Sequence, residues 1–313
     1  MVREIRIVFM GTPEFAVPSL KILNESNYKV VAVVTAPDKP AGRGLKVKSS
    51  PVKEEAEKHS IPVLQPEKLK DPQFLEELRS FNANLFVVVA FRMLPEVVWA
   101  MPEYGTFNLH ASLLPAYRGA APINWAIING EKETGVTTFF LQHEIDTGDI
   151  IMQEKEKIYV EDNAETLYDR LKLKGAELVL KTVSAISNNS VNTQKQAPAE
   201  NTPLAPKIFR DTCKINWDQN SFEVVNFIRG LSPYPGAWTE LDGKTCKIFR
   251  ASIANISSAE KPENADYLTD NKSYLYFFTK NGALSIEEIQ PQGKKRMLID
   301  EFLRGNKLCL FQQ

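Results

Sequence analysis

The chain has 313 residues, of which 43% are hydrophobic and 25% are charged. This length and composition are typical of a globular protein with one large domain or two ordinary ones and a sizeable core. The 38 basic and 39 acidic residues leave a net charge of −1, which excludes a global basic field. Binding to nucleic acid or to a membrane surface would therefore need a local patch.

The sequence contains no pattern of a membrane span or of a secretion signal. Its longest clean apolar run, Leu85–Phe91, is far shorter than the roughly 20 residues that a span needs. Charges interrupt the segment Met1–Arg6, unlike the apolar region of a signal peptide. The cysteines lack Cys-x-x-Cys spacing, and the histidines form no metal-ligand motif. We expect a cytoplasmic protein without a disulfide framework or a metal site.

The first part of the chain alternates strand-like and helix-like segments. Apolar runs predict strands at 5–10, 28–35 and 85–90, and helical apolar spacing predicts a helix at 14–24. Ser50-Pro51 and Asp71-Pro72 each have the pattern of an N-cap followed by proline at the first helical position. The order of elements predicts an α/β domain with a doubly wound, Rossmann-like parallel sheet. The first turn begins Gly11-Thr12-Pro13, without Gly-x-Gly-x-x-Gly, which disfavours a dinucleotide site.

The polarity and periodicity of the sequence change in its second part. The sequence predicts strands at 106–110, 136–141 and 150–153, followed by a helix at 164–186. The next stretch, 189–205, is polar and without periodicity, as in a linker. Short alternating segments at 245–250, 273–279, 284–289 and 307–311 then predict a small β-barrel or sandwich. We expect a catalytic domain at 1–188, a linker at 189–205, and a smaller C-terminal β-barrel, OB-like domain at 206–313.

Candidate catalytic groups lie on and after the predicted strand 106–110. Asn108 and His110 are two residues apart and therefore project from one face of that strand. The carboxyl ends of strands form the ligand crevice of a doubly wound sheet. Asp146 lies in a turn between the next two predicted strands, from which it can meet His110 across the crevice.

These three side chains suit acyl transfer without a covalent intermediate. The Asn108 amide and a protonated His110 would stabilise an oxyanion, and the Asp146 carboxylate would relay a proton from an attacking amine. Ser112 is discounted as a nucleophile because its Leu-Pro loop has no nucleophile elbow. Taken singly, His110 would be a core histidine and Asp146 an ordinary turn residue. Their combination with Asn108 favours catalysis.

The sequence resembles the folate-dependent formyltransferases over nearly its whole length. The resemblance is carried by Val8–Ala16, Thr35–Gly44, Asn108–Ile123, Asp146–Asp149, Ile228–Trp238, Gly293–Met297 and Asp300–Leu303. Within that family it is similar to the members that act on initiator methionyl-tRNA. One departure is Gln142-His143-Glu144, which stands where the family pattern has an acid and a glycine.

The resemblance implies transfer of the formyl group of 10-formyltetrahydrofolate to the α-amino group of methionine on initiator methionyl-tRNA. It implies that Asn108, His110 and Asp146 are the catalytic trio, with no metal. It also implies a folate site that comprises Ser112, Leu113, Leu114, Pro115, Val89 and Phe91. The apolar stretch Val88–Leu94 would help to hold the pterin, and the C-terminal barrel would help to hold the tRNA. We expect a monomer without membrane association.

The loop 37–53 is a candidate contact for tRNA. It is rich in cations and long for a connection between a strand and a helix, and long loops are often functional. A solvated charged loop is the usual interpretation of such a run, but a protein with a net charge of −1 needs a basic patch to bind phosphates. Mainly because of the family resemblance, we expect tRNA contacts from Lys39, Arg43, Lys46 and Lys48.

Three alternative functions stay open at this point. The same trio could formylate a sugar nucleotide or a purine precursor, although the basic loop and the C-terminal half argue against this. Water could replace the amine, so that the formyl folate is hydrolysed. Finally, the chain could be a non-catalytic RNA-binding module, against which the intact trio argues.

Overall fold

The computed structural model describes residues 3–41, 46–197, 202–256, 261 and 265–308. The chain divides into two compact units, which are described separately. The first unit comprises 1–119, 133–157 and 168–204, and the second comprises 120–132, 158–167 and 205–313. Among the helices formed by the described residues, none is both long and apolar enough to cross a membrane.

Helices and strands alternate up to residue 187. In chain order they are β1 (Arg6–Gly11), α1 (Val17–Asn24), β2 (Lys29–Val34), β3 (Lys39–Ala41), β4 (Lys46–Lys48), α2 (Pro51–Lys58), β5 (Val63–Leu64), α3 (Pro72–Ser80), β6 (Leu85–Val89), α4 (Glu96–Trp99), β7 (Thr106–His110), β8 (Arg118–Gly119), α5 (Pro122–Ile128), β9 (Glu133–Phe140), β10 (Ile150–Lys157) and α6 (Ala164–Ser187). A 3₁₀ turn, Glu14–Ala16, precedes α1, so the predicted helix at 14–24 is observed in two pieces.

The first unit is built on a seven-stranded sheet with the order β10-β9-β7-β6-β1-β2-β5. The strands from β7 to β5 in this order pair in parallel, whereas β9 and β10 run antiparallel on the other side of β7. Every residue of β6 is buried, as its continuous apolar run predicts. The predicted Rossmann-like sheet is therefore confirmed, with an antiparallel extension beside β7.

Two helices of this unit begin as the sequence predicts. The Ser50 hydroxyl accepts a hydrogen bond from the backbone N–H of Lys53 at the start of α2. The Asp71 carboxylate accepts hydrogen bonds from the first turn of α3. In both helices proline occupies the first position, where a backbone N–H would have no acceptor within the helix.

The second unit contains a six-stranded antiparallel sheet. The elements that follow α6 in the chain are β11 (Leu204–Ala205), α7 (Ser221–Gly230), β12 (Ala237–Leu241), β13 (Lys244–Ala254), β14 (Tyr267–Thr269), β15 (Leu275–Thr279), β16 (Gly282–Pro291), β17 (Met297–Leu298) and α8 (Ile299–Gly305). The sheet has the order β12-β13-β16-β15-β14, with β17 beside β16. Register shifts around Arg250 mark bulges, which bend a strand. The predicted C-terminal β domain is confirmed as an antiparallel half-barrel.

Residues from α7 and α8 complete the core of this half-barrel. Val224 and Ile228 of α7 and Phe302 and Leu303 of α8 belong to the same buried cluster as the apolar residues of the sheet. Of the last predicted strand, 307–311, Lys307 and Leu308 are not in a strand, and the other positions lie outside the described residues.

Gly135 in β9 allows a close approach that a side chain would prevent. A Cβ atom at this position would clash with the carbonyl oxygen of Glu154 on β10 and would lie 2.5 Å from the Leu113 side chain. At Gly175 in α6, the corresponding Cβ would lie 2.6 Å from Leu109 Cδ2, the end of a flexible side chain.

We therefore expect Gly135→Ala to lower the free energy of unfolding by about 1–3 kcal/mol, because the backbone must shift to relieve the overlap. Gly175→Ala is the matched control: Leu109 can move, and alanine favours a helix by up to about 1 kcal/mol. Denaturant titration of the two variants measures the difference. Equal destabilisation by both would contradict the distinction between backbone and side-chain neighbours.

Candidate active site

Strand β7 positions two of the predicted catalytic side chains. It pairs with β6 on one side, where Asn108 is opposite Val88, and with β9 on the other, where His110 is opposite Thr137. His110 is the last residue of the strand and is buried, whereas Asn108 is half-buried. Because side chains alternate along a strand, Asn108 and His110 lie on the same face.

The imidazole of His110 has two different environments. Its Nε2 lies 2.8 Å from the backbone carbonyl oxygen of Tyr117. A carbonyl only accepts hydrogen bonds, so Nε2 carries the hydrogen of this contact. Nδ1 lies 3.9 Å from Oδ2 of Asp146, a distance that allows an ion pair but is too long for a hydrogen bond. The structure thus brings together His110 and Asp146.

Asp146 reaches His110 because the turn after β9 runs back along β7. The antiparallel register places Phe140, the last residue of β9, opposite Phe107 rather than opposite His110. Phe107 and His110 are three strand positions apart, which corresponds to about 10 Å, and the turn must span this distance before Asp146 reaches His110. Asp146 itself adopts the left-handed conformation with φ +55°.

Gly148 is required where the turn passes its own strand. A Cβ atom at Gly148 would overlap the carbonyl oxygen of Phe140, and the Phe140 N–H donates a 3.0 Å hydrogen bond to the Asp149 carbonyl. This close approach explains the glycine in the Asp-Thr-Gly-Asp motif. Gln142, His143 and Glu144, which differ from the family pattern, are exposed in the same turn.

Two groups from other segments hold the Asp146 turn. The Gly119 N–H donates to Oδ2 of Asp146 at 3.1 Å. The Gln196 side-chain amide donates to the backbone carbonyls of Asp146 and Gly148, at 2.9 Å and 2.8 Å, while its oxygen accepts from Arg118. Sequence reasoning missed Gln196, because it lies in the polar stretch interpreted as a linker.

The predicted folate segment Ser112–Pro115 is held by buried and partly buried hydrogen bonds. The Ser112 hydroxyl donates to the Ala116 carbonyl at 2.6 Å, and the Ser112 carbonyl accepts from the Thr137 hydroxyl. The Gln153 amide donates to the Leu114 carbonyl at 2.9 Å. Leu114 is buried, and Leu113 and Pro115 are half-buried. Thr137 and Gln153 therefore shape this loop, although nothing in the sequence pattern pointed to them.

Apolar residues lie at the end of β6, next to β7. Val89 is fully buried and pairs with Leu109, and the half-buried Phe91 follows two residues later. Leu141 packs against the cluster that Phe91 joins and against the smaller cluster around Leu114. Met93, in the same loop as Phe91, has 71% of its surface exposed. The end of the sheet thus offers apolar surface close to the polar trio.

Three of the predicted basic residues, Lys39, Lys46 and Lys48, belong to a short hairpin. Strands β3 and β4 pair antiparallel, with Lys39 opposite Lys48 and Ala41 opposite Lys46. Lys48 is exposed. Arg43 lies outside the described residues. The register therefore places two basic residues on one rung of the hairpin.

A fifth cation of the loop, Lys53, is paired within the protein. Its Nζ lies 2.5 Å from Oδ2 of Asp38, whose other oxygen accepts from the Gln65 amide at 2.7 Å. Hydrogen bonding to Lys53 and then to Gln65 lowers the pKa of Asp38, and the same contact raises the pKa of Lys53. Lys53 thus anchors the loop at its end. In the described part of the chain, no group of three or more His, Cys, Asp or Glu side chains is placed to hold a metal ion.

Comparison with known proteins gives matches along both halves of the chain. A family model described as "Formyl transferase" matches residues 5–183, and one described as "Formyl transferase, C-terminal domain" matches residues 207–307. The methionyl-tRNA formyltransferase of Bacteroides thetaiotaomicron is 52% identical, over 97% of this chain and 97% of that protein.

Two solved structures have a similar fold. The sugar 3N-formyl transferase WlaRD, crystallised in the presence of dTDP and 5-N-formyl-THF, has a TM-score of 0.66 and 24% identity over 94% of this chain and 100% of that one. Methionyl-tRNA formyltransferase from Clostridium thermocellum has a TM-score of 0.55 and 17% identity over 80% of this chain and 94% of that one. At these identities the structures support the fold, whereas the family models and the relative at 52% identity establish the relationship. The chain belongs to the formyl transferase family.

Proposed function

We propose that this protein transfers the formyl group of 10-formyltetrahydrofolate to the α-amino group of methionine on initiator methionyl-tRNA. One observation carries the chemistry: Nδ1 of His110 faces Asp146 at 3.9 Å while Nε2 is held by the Tyr117 carbonyl. The acceptor follows from the relative at 52% identity, a methionyl-tRNA formyltransferase matched over 97% of both chains. The substrates of this reaction belong to translation, so the proposal includes a cytoplasmic location, and we propose that the protein acts as a monomer.

The trio acts on a carbonyl carbon attacked by an amine. The methionine nitrogen forms a bond to the formyl carbon, and the bond from that carbon to N10 of the folate breaks. The amine loses a proton and N10 gains one, so the reaction needs no other reactant. Between these steps the formyl oxygen carries negative charge, which suitable hydrogen-bond donors stabilise.

In this proposal each side chain has a different task. The Asn108 amide and the protonated Nδ1 of His110 donate to the charged oxygen. Since 3.9 Å exceeds hydrogen-bond length, Asp146 stabilises the imidazolium while leaving the Nδ1 hydrogen for the substrate. The Asp146 carboxylate is also the acceptor for the proton of the attacking amine.

The folate binds beside the trio in this proposal. The half-buried Phe91 contributes apolar surface for the flat pterin ring, and Val89, whose side chain is fully buried, contributes through its backbone. The loop of Ser112, Leu113, Leu114 and Pro115 contributes its shape, because the Ser112 hydroxyl is engaged by the Ala116 carbonyl.

The tRNA contacts the basic loop in this proposal, through Lys39, Lys46 and Lys48 of the hairpin and through Arg43. The pairing of Lys39 with Lys48 supports it, because opposed like charges are unfavourable unless an anion lies nearby.

The acceptor is tested by offering the purified protein 10-formyltetrahydrofolate with charged methionyl-tRNA, with free methionine, with an amino-sugar nucleotide, or with water alone. We expect formylation of the charged tRNA only. Consumption of the folate without tRNA would instead indicate a hydrolase or a transferase for small molecules. The sugar transferase fold match makes the amino-sugar arm a necessary comparison.

The roles of the trio predict the effect of single substitutions. His110→Ala and Asp146→Ala should each lower kcat by at least about 100-fold, because general acid–base and oxyanion groups contribute on that scale. Asn108→Ala should lower kcat in the same range. Folding is checked by circular dichroism, and folate binding by fluorescence titration.

His59→Ala provides the control for loss of an imidazole, since His59 ends helix α2 and contacts Glu55 rather than the trio. Near-normal kcat in His110→Ala or in Asp146→Ala would overturn the proposed mechanism.

The hairpin predicts a separate effect on tRNA. Arg43→Ala should raise the KM for charged tRNA and reduce the salt dependence of tRNA binding by about one phosphate contact, a slope change of about 0.9. Folate binding should not change. Lys21→Ala, which removes an exposed cation from helix α1, is the matched control. An equal loss of folate binding in Arg43→Ala would mean that the loop shapes the folate site instead.

A further inference from the structure

A cavity of about 710 Å³ opens in the second unit, to which all its lining residues belong. Part of its wall is the segment Tyr234–Gly236, from the family motif Ile228–Trp238, which the proposed reaction does not use. Its volume falls within the range of about 300–1,000 Å³ that is typical of small-ligand sites. The cavity therefore needs an explanation of its own.

The cavity is positively charged. Lys207, Arg210 and Lys247 line it, and no described lining residue is an aspartate or a glutamate. Within the described part of the chain, none of these three cations has a carboxylate at ion-pair distance; the Nζ of Lys247 donates to the Pro235 carbonyl at 2.6 Å. Other arginines of the same unit do have such partners: Arg250 with Glu287, Arg296 with Glu288, and Arg304 with Asp300. Uncompensated cations around a concave surface attract an anion.

Aromatic side chains surround the same cavity. Tyr234 is 83% exposed and Phe209 is 58% exposed, although burial of such rings is favourable. The half-buried Trp238 also lines the cavity, and its indole N–H donates to the Arg210 carbonyl at 2.9 Å, which anchors Arg210 at the cavity. Exposed rings beside unpaired cations are the combination with which proteins bind unpaired nucleotides.

We infer that this cavity binds one unpaired nucleotide, whose base stacks on Tyr234 and whose phosphate contacts Arg210 and Lys207. The exposed Gln292 amide at the edge supplies a donor and an acceptor for the base. A simple anion would make no use of the exposed rings, and an acidic peptide would make little use of Tyr234. The inference rests on the proposed function in one respect, namely that the substrate tRNA is the source of the nucleotide.

The two kinds of contact can be separated by their response to salt. Arg210→Ala should weaken the binding of charged tRNA and reduce the slope of log Kd against log salt by about 0.7–0.9, the value of one phosphate contact. Tyr234→Ala should weaken binding by about 5- to 100-fold, as expected for loss of one stacked base, without changing the slope. Both effects should appear in KM rather than in kcat. Tyr234→Phe should restore binding, because it keeps the ring.

Matched controls lie in the same unit outside the cavity. Phe222→Ala removes a ring that is 69% exposed on α7, and Lys272→Ala removes an exposed cation. Neither should change Kd. An equal effect of the controls and the cavity variants would overturn the inference, because it would indicate a general effect of surface charge or apolar area.

The source of the nucleotide is decided by titrating adenosine monophosphate into the protein by calorimetry. If Arg210→Ala and Tyr234→Ala bind tRNA as tightly as the wild type, but lose the AMP binding that the wild type shows, the cavity is supported as a site for a free nucleotide. Unchanged tRNA affinity without AMP binding at millimolar concentration would overturn the inference. Formylation of charged tRNA by the wild-type protein, measured in parallel, tests the proposed function independently, since failure there leaves the AMP result interpretable.

Discussion

The antiparallel pairing of β9 with β7 is the constraint on which the site depends. It places the end of β9 opposite Phe107, so the following turn must return along β7 before Asp146 meets His110. A purely parallel sheet would bring successive strand ends to the same edge without such a return. Here the return is possible because Gly148 passes against the Phe140 carbonyl and because Asp146 adopts a left-handed conformation.

Backbone groups do much of the positioning around the trio. The Tyr117 carbonyl selects the hydrogen-bearing nitrogen of His110, and the Gly119 N–H holds the Asp146 carboxylate. Both groups come from the segment between β7 and α5, whose start is in turn fixed by Thr137 and Gln153. Preorganised groups of this kind need no rearrangement when charge develops on the substrate. The proposed catalytic side chains thus depend on a segment that is anchored to the strands beside them.

Sequence patterns predicted the elements that obey local rules. The strand Thr106–His110 is observed with the predicted bounds, and the caps at Ser50 and Asp71 are observed as well, because strand alternation and capping are properties of neighbouring residues. The meeting of His110 with Asp146 was predicted from the chemistry of the residues and from topology. The return of the turn along β7 was not predicted, since the antiparallel direction of β9 is a property of the tertiary structure.

Groups that act through the backbone or across long sequence separations could not be predicted. The contribution of Tyr117 is its carbonyl, which every residue possesses. Gln196 contacts Asp146 from 50 positions away and lies in a polar stretch with no periodicity. The cavity in the second unit was likewise hidden, because Arg210 and Tyr234 come from separate segments and only the fold brings them to one wall.

The position of Gln196 has a consequence for how the chain can be divided. The sheet of the first unit ends with β10, and its last helix, α6, ends at Ser187. A fragment cut after that helix would retain every strand of the seven-stranded sheet and all three trio residues, but it would lack the amide that holds the carbonyls of Asp146 and Gly148. The groups that hold the candidate site thus extend beyond the last helix of the first unit, into a segment whose composition resembles a linker.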